Sequence, residues 1–293
     1  MSSQPGKSHD GAQRDQEVPT TGHSWDGIEE YDNPMPRWWL TIFYITLIWG
    51  AVYSILMPSW PGVTGAWPGL LGWSTRGEVA EEVARMTEAN AEIDARLAAA
   101  DLTALSGDPE LSQYAVNAGA AVFRTWCAQC HGSGAAGATG FPNLLDDDWL
   151  WGGDIASIAY TVTHGIRNET DADARYSQMP VFDELLEPGQ IDALANYVLS
   201  LSGTPPDSAL AAQGAALFAD NCVACHMEDG TGNPEIGAPN LADAIWLYGG
   251  DYDTVRQSIA GARFGVMPNW NTRLTQSQIN AVATYVHALG GGE

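Results

Sequence analysis

The chain has 293 residues, a hydrophobic fraction of 45% and a formal net charge of −24, with 36 acidic side chains against 12 basic ones. The length suits about two domains, and the apolar content excludes a wholly disordered chain. The charge repels nucleic acid and anionic membrane surfaces and favours a basic partner, although solubility alone accounts for it equally well.

Residues 1–33 are polar, rich in Ser, Gly, Gln and Asp, and have no apolar period, which reads as a flexible N-terminal segment. Residues 34–60 read as a transmembrane anchor. Pro34 and Pro36 precede Trp38–Met57, twenty residues without a charge, the length a helix needs to cross a bilayer. Trp38, Trp39 and Trp60 stand near its ends, where interfacial aromatics belong. The run begins too late and is too long for a signal-peptide core, and no cleavage site follows it. Lys7, Arg14 and Arg37 precede the span, which by the positive-inside rule places the N-terminus in the cytoplasm.

Residues 61–110 combine a Pro-, Gly- and Trp-rich interfacial stretch with a linker helix over 76–105, where Val79, Val83 and Met86 recur at helical spacing. The remainder is an internal repeat. "AGAAVFRTWCAQCH" (118–131) aligns with "QGAALFADNCVACH" (213–226), and "PNL", "WLWGGD"/"WLYGGD", "MP" and "ANYVLSLSG"/"ATYVHALGG" recur in the same order. Two related domains follow, 111–203 and 207–293, joined at Thr204–Asp207. Each reads as helix, motif, long loop, short helix, Met-Pro loop and terminal amphipathic helix. Strand signals are sparse, so the fold class is all-α. Asp154 and Asp251 stand where they can cap the short helices, and the terminal helices, bearing Tyr197 and Tyr285, are expected to pack across each first helix.

All four cysteines lie in two C-x-x-C-H motifs: Cys127, Cys130, His131 and Cys222, Cys225, His226. A zinc site with four ligands would have to bridge the two repeats, and a thioredoxin-like disulfide needs a βαβ context that is absent. Neither chemistry requires the histidine. Covalent c-type haem attachment does: two thiols form thioethers with the vinyl groups, and the adjacent histidine becomes the proximal iron ligand. In bacteria this attachment is completed outside the cytoplasmic membrane, which puts the residues beyond 58 on that face.

A second axial ligand is needed for each iron. Met1, Met35, Met57, Met86 and Met227 are excluded by position, leaving Met179 and Met267, one per repeat and each followed by proline. His/Met coordination raises the potential and fills both axial sites, which suits electron transfer. Either each methionine serves its own repeat's haem, or the two cross; the sequence allows both. His164 and His287 have no counterpart in the other repeat and read as packing or surface residues. Arg167 and Arg263 do align, and each fits either a haem-propionate partner or a solvated arginine.

"DGIEEYDNPMPRWWLTIFYITLIWGAVYSILMPSWPG" (26–62), followed by two C-x-x-C-H domains, resembles the dihaem subunit III of cbb3-type cytochrome c oxidases, and the resemblance covers the chain from about residue 25 onward. It implies one transmembrane helix followed by two tandem class I cytochrome c domains. It also implies two covalently bound haem c groups, with thioethers at Cys127, Cys130, Cys222 and Cys225 and iron ligation by His131, His226, Met179 and Met267. The implied role is electron transfer rather than catalysis by this chain alone. Electrons would come from a donor cytochrome c and pass toward a monohaem subunit II and the oxygen-reducing catalytic subunit I, with an optional small subunit. The implied location is the bacterial inner membrane, crossed once, with the haem domains in the periplasm and no nucleic-acid partner. A free-standing dihaem carrier and a haem enzyme or gas sensor are the alternatives, and an open iron site would mark the last.

Overall fold

A computed structural model describes residues 18–292. Residues 1–17, the larger part of the expected flexible segment, lie outside the described residues. The chain divides into an N-terminal unit to Met86 and a C-terminal unit from Thr87.

In the N-terminal unit, residues 20–31 form a hairpin where no structure was expected. Strands β1 (Thr20–Trp25) and β2 (Ile28–Tyr31) pair antiparallel, with Trp25 opposite Ile28. Asp26 and Gly27 both have positive φ, 51° and 84°, the backbone of a two-residue hairpin turn whose twist matches the strands. Helix α1 (Arg37–Leu56) starts behind Pro36 and has no buried residue; its mean hydropathy is 1.7. A helix so apolar, with no core to bury it, belongs in a membrane. Its last turn is closed by the following loop, where the Leu70 and Leu71 amides donate to the carbonyls of Ile55 and Leu56, satisfying groups a helix end leaves open.

Helix α2 (Thr75–Ala98) is largely polar, and its second half belongs to the C-terminal unit. There Leu97 is fully buried, and Asp94 accepts hydrogen bonds from Tyr114 and Ser277. Next come α3 (Pro109–Val122), a π-turn over Phe123–Cys127, α4 (Ala128–His131), α5 (Ile155–His164) and α6 (Pro188–Ser202). The second repeat supplies α7 (Ser208–Asn221), α8 (Val223–His226), α9 (Tyr252–Gly261) and α10 (Gln276–His287). The starts are chemically marked. Asp108, Asp154, Asp207, Asp251 and Thr275 each accept from amides of the first turn, as N-caps do.

The cores do not follow the repeat boundary. α3 packs on α10, the terminal helix of the other repeat, and α6 packs on α7. One core joins Phe123, Ile158 and Val162 to Trp270, Val282 and Val286; the other joins Phe182, Leu194 and Val198 to Phe218, Val255 and Ile259. Each terminal helix therefore packs across the first helix of the other repeat. The cause is the linker: five residues, 203–207, between α6 and α7 suit only an antiparallel helical hairpin. With α6 occupied by α7, the matching face of α3 is left to α10. Both crossings are close. A Cβ on Gly119 would lie 2.1 Å from the Ala281 carbonyl oxygen, and one on Gly214 would lie 2.2 Å from that of Ala193.

Candidate haem centres

In each repeat the first helix runs directly into its motif. The π-turn that ends α3 brings Cys127 to the edge of the first core, and the single turn of α4 sets Cys130 and His131 beside it. α7 and α8 do the same for Cys222, Cys225 and His226. Cys130 and Cys225 are exposed while Cys127 and Cys222 are partly buried. Burial, then the neighbouring cysteine, pushes both inner thiols up to about 11.

The histidines are oriented identically. His131 Nδ1 lies 3.1 Å from the Pro142 carbonyl oxygen, and His226 Nδ1 lies 3.0 Å from that of Pro239, both from the repeated "PNL" block. A carbonyl only accepts, so each Nδ1 carries the proton and each Nε2 keeps its lone pair for a metal. Burial lowers the pKa of both rings below the usual histidine value, partly offset by that hydrogen bond, which favours the neutral ligand form.

Each motif faces its own cavity. The first, about 100 Å³, is walled by Phe123, Cys127, His131, Trp149, Val282 and Met267. The second, about 480 Å³, is walled by Phe218, Cys222, Cys225, His226, Trp246 and Met179. The structure thus brings the first motif together with the second repeat's methionine, and the reverse. Of these two cavities, His131 and Met179 line different ones, as do His226 and Met267. Met267 lies in the loop after α9, and the loop after α5 holds it in place. Ile166 and Met267 exchange both backbone hydrogen bonds, at 2.9 and 3.0 Å. Gly165, at φ 72°, is required there, since a Cβ would lie 2.4 Å from the Met267 carbonyl oxygen.

These residues fit haem c. Each set offers two thiols, one imidazole nitrogen and one thioether sulfur around apolar walls. Among the described residues only two buried side-chain polar atoms lack a partner: Trp151 Nε1, on the wall of the first cavity, and Arg175 Nε. The Arg175 guanidinium carbon lies 5.4 Å from the Trp151 ring centroid. Unpaired donors of this kind are costly unless an acceptor meets them, and the carboxylates of a haem are acceptors. The single cluster of three potential metal ligands among the described residues is His164, Asp171 and Asp173, which contains no cysteine.

His164 pairs through Nδ1 with Asp171 at 3.1 Å, and His287 closes α10; neither lines either of these two cavities. Arg167 and Arg263 both line the second cavity, but their bonds differ. Arg167 donates to the Ser177 and Gly265 carbonyls, Arg263 to Gln257. Trp151 belongs to the repeated "WLWGGD" block, which reads from the sequence as a structural wall, and Pro142 and Pro239 to the repeated "PNL" block, but neither the indole N–H nor the two carbonyls stand out there individually. Asp148 lines both cavities, and its carboxyl is pushed up to about 6 by burial first and then by Asp243, Asp146 and Asp147.

Comparison with known proteins gives three successive matches along the chain. Residues 17–64 match the N-terminal domain of cytochrome oxidase-cbb3, FixP; residues 116–202 match cytochrome c; residues 209–286 match cytochrome c oxidase, cbb3-type, subunit III. The cbb3-type cytochrome c oxidase subunit CcoP of Cereibacter sphaeroides is 64% identical over 283 residues, covering 96% of this chain and 98% of its own length. CcoP of Rhodobacter capsulatus is 56% identical over 288 residues, covering 94% and 97%. The subunit FixP of Sinorhizobium medicae is 50% identical over 276 residues, covering 94% and 96%.

Proposed function

The chain belongs to the CcoP/FixP family of cbb3-type cytochrome c oxidase subunits, and from that premise we propose that it is a membrane-anchored dihaem electron carrier feeding oxygen reduction. In this reading α1 holds it in the bacterial inner membrane, with the haem domains on the periplasmic side. It takes electrons from a donor cytochrome c and passes them toward a monohaem subunit and the catalytic subunit, and it does no oxygen chemistry alone.

The observation that carries the reading is the pairing of each C-x-x-C-H motif with a methionine across an apolar cavity. Cys127 with Cys130, and Cys222 with Cys225, would hold two haem c groups as thioethers. His131 with Met267, and His226 with Met179, would hold the two irons. Haem c in such a site supplies a one-electron iron couple, which thioether ligation sets at high potential. The protein residues do the rest. The Pro142 and Pro239 carbonyls fix the imidazoles, and the apolar walls exclude water. As iron ligands, Met267 and Met179 would leave no site for oxygen or substrate. The charge of −24 suits a basic donor.

The test is composition and ligand binding. The purified oxidase should contain this chain with two covalent haems, one lost in Cys127→Ala/Cys130→Ala and the other in Cys222→Ala/Cys225→Ala. The reduced isolated chain should bind no carbon monoxide. Binding at either haem would support an open-site enzyme or sensor instead.

A further inference from the structure

Arg167 lies in the loop after α5 at φ 52°, a left-handed backbone uncommon for a large side chain. Its guanidinium sits between two segments. Nε donates to the Ser177 carbonyl at 2.5 Å and Nη1 to the Gly265 carbonyl at 3.1 Å. Ser177 stands two residues before Met179, and Gly265 two residues before Met267. One cation therefore holds the same point on both methionine loops, which face different cavities. Its guanidinium carbon lies 6.0 Å from the Trp151 ring centroid and 5.9 Å from that of Phe264. Among the described residues it forms no ion pair with a carboxylate.

The loops need such a hold unequally. Met267 is paired with Ile166 through both backbone groups, whereas among the described residues no backbone–backbone hydrogen bond holds 176–181. Besides Arg167, that segment is tied by the Ser177 hydroxyl donating to the Ile236 carbonyl. The aligned Arg263 does not duplicate the arrangement; it donates to Gln257 and lies over Tyr248.

We propose that Arg167 is a positioning residue that ties the two Met-Pro loops together, so that methionine ligation at one haem is coupled to methionine ligation at the other. The proposal rests on the ligand sets of the preceding section. A guanidinium presents its donors in a rigid plane, so one displacement of Arg167 disturbs both loops; a lysine ammonium is a point charge without that fork.

The experiment uses the full haem-loaded chain in detergent and imidazole as the probe of ferric iron. Met179→Ala leaves Met267 as the sole methionine ligand, and Met267→Ala leaves Met179, so each background reads one methionine-ligated haem. Adding R167Q should tighten imidazole binding at that haem roughly tenfold in both backgrounds, since a charged hydrogen bond to each loop is lost and the loop opens more often. R167K should tighten it in both as well, and R263Q should leave the Met267-ligated haem unchanged. Covalent haem content and helical circular dichroism report that each variant is folded. If neither methionine variant opens an iron to imidazole, the ligand assignment itself fails. If both do, but R167Q and R167K act at one haem or neither, the tie is overturned. An effect confined to the second haem, with its methionine retained, would make Arg167 only a propionate partner.

Discussion

Gly119→Ala tests the helix exchange at its tightest point. The added Cβ would lie 2.1 Å from the Ala281 carbonyl oxygen, 2.6 Å from the carbonyl carbon and 2.7 Å from Tyr285 Cβ. An ordinary carbon–oxygen contact needs about 3.3 Å, so α3 and α10 must separate by roughly 1 Å or the side chains around them must leave their rotamers. Overpacking costs about 1–3 kcal/mol, and a clash with a backbone carbonyl belongs at the upper end, about 2–3 kcal/mol. Alanine recovers about 1 kcal/mol of that, because glycine is the poorer helix former. The net is a loss of about 1–2 kcal/mol, or roughly 2–8 °C in Tm for a unit of this size. Thermal unfolding of the haem-loaded chain, followed in the Soret band and by far-ultraviolet circular dichroism, measures it. The first motif should be the one disturbed, because α3 runs straight into Cys127. A Gly119→Ala chain as stable as the parent, or more so, would show that α3 is a free helix and that the exchange is wrong.

Further consequences can be checked together. Val282→Ala, at a residue of the second repeat that is 1% exposed on the wall of the first cavity, should cost about 2 kcal/mol. It should shift the potential of the haem on Cys127, and a shift confined to the haem on Cys222 would contradict the packing. Asp148 binds its proton more tightly in the fold, near 6, than the ordinary carboxylate near 4. Its cost is therefore absent below about pH 4, grows as pH rises and is complete above 6. A two-unit shift corresponds to about 3 kcal/mol, and half exposure reduces it to about 1.5. Asp148→Asn should stabilise the chain by that amount at pH 7.5 and not at pH 3.5, and equal gains at both would remove the carboxylate from the account. Electron transfer from a basic donor cytochrome should slow as salt is raised from 10 to 200 mM, roughly tenfold or more if charge steers the encounter; a flat profile would refute steering.

Much of this was legible in the chain. The motifs name their own chemistry because no competing reading uses the histidine, and the Met-Pro pairs stood out through their place in the repeat. Asp154 and Asp251 cap α5 and α9 as their positions suggested. The helix exchange was harder to see, and for a physical reason. Apolar periodicity shows which face of a helix is buried, not which helix covers it. Gly119 and Gly214 occupy matching positions, as do Tyr197 and Tyr285, so either pairing satisfies the pattern. The deciding signal was the five-residue linker, a constraint on distance rather than on polarity. The hairpin at 20–31 also carried a signal, Asp26-Gly27, but its strands are exposed throughout and show no alternation. Arg167 and Arg263 aligned as equals. Only the fold, by bringing the carbonyls of 177 and 265 to one side chain, gave Arg167 both of them to hold.

The crossed ligand sets are the centre of the account, and one measurement addresses them directly. In the reduced, haem-loaded chain labelled at its methionine methyls, each axial methionine reports its haem by dipolar contact in the nuclear magnetic resonance spectrum. Assignment comes from the Met179→Ala and Met267→Ala variants. The account predicts contacts from the Met267 methyl to the haem attached at Cys127 and Cys130, and from the Met179 methyl to the haem attached at Cys222 and Cys225. Contacts from Met179 to the haem on Cys127, and from Met267 to the haem on Cys222, would contradict it.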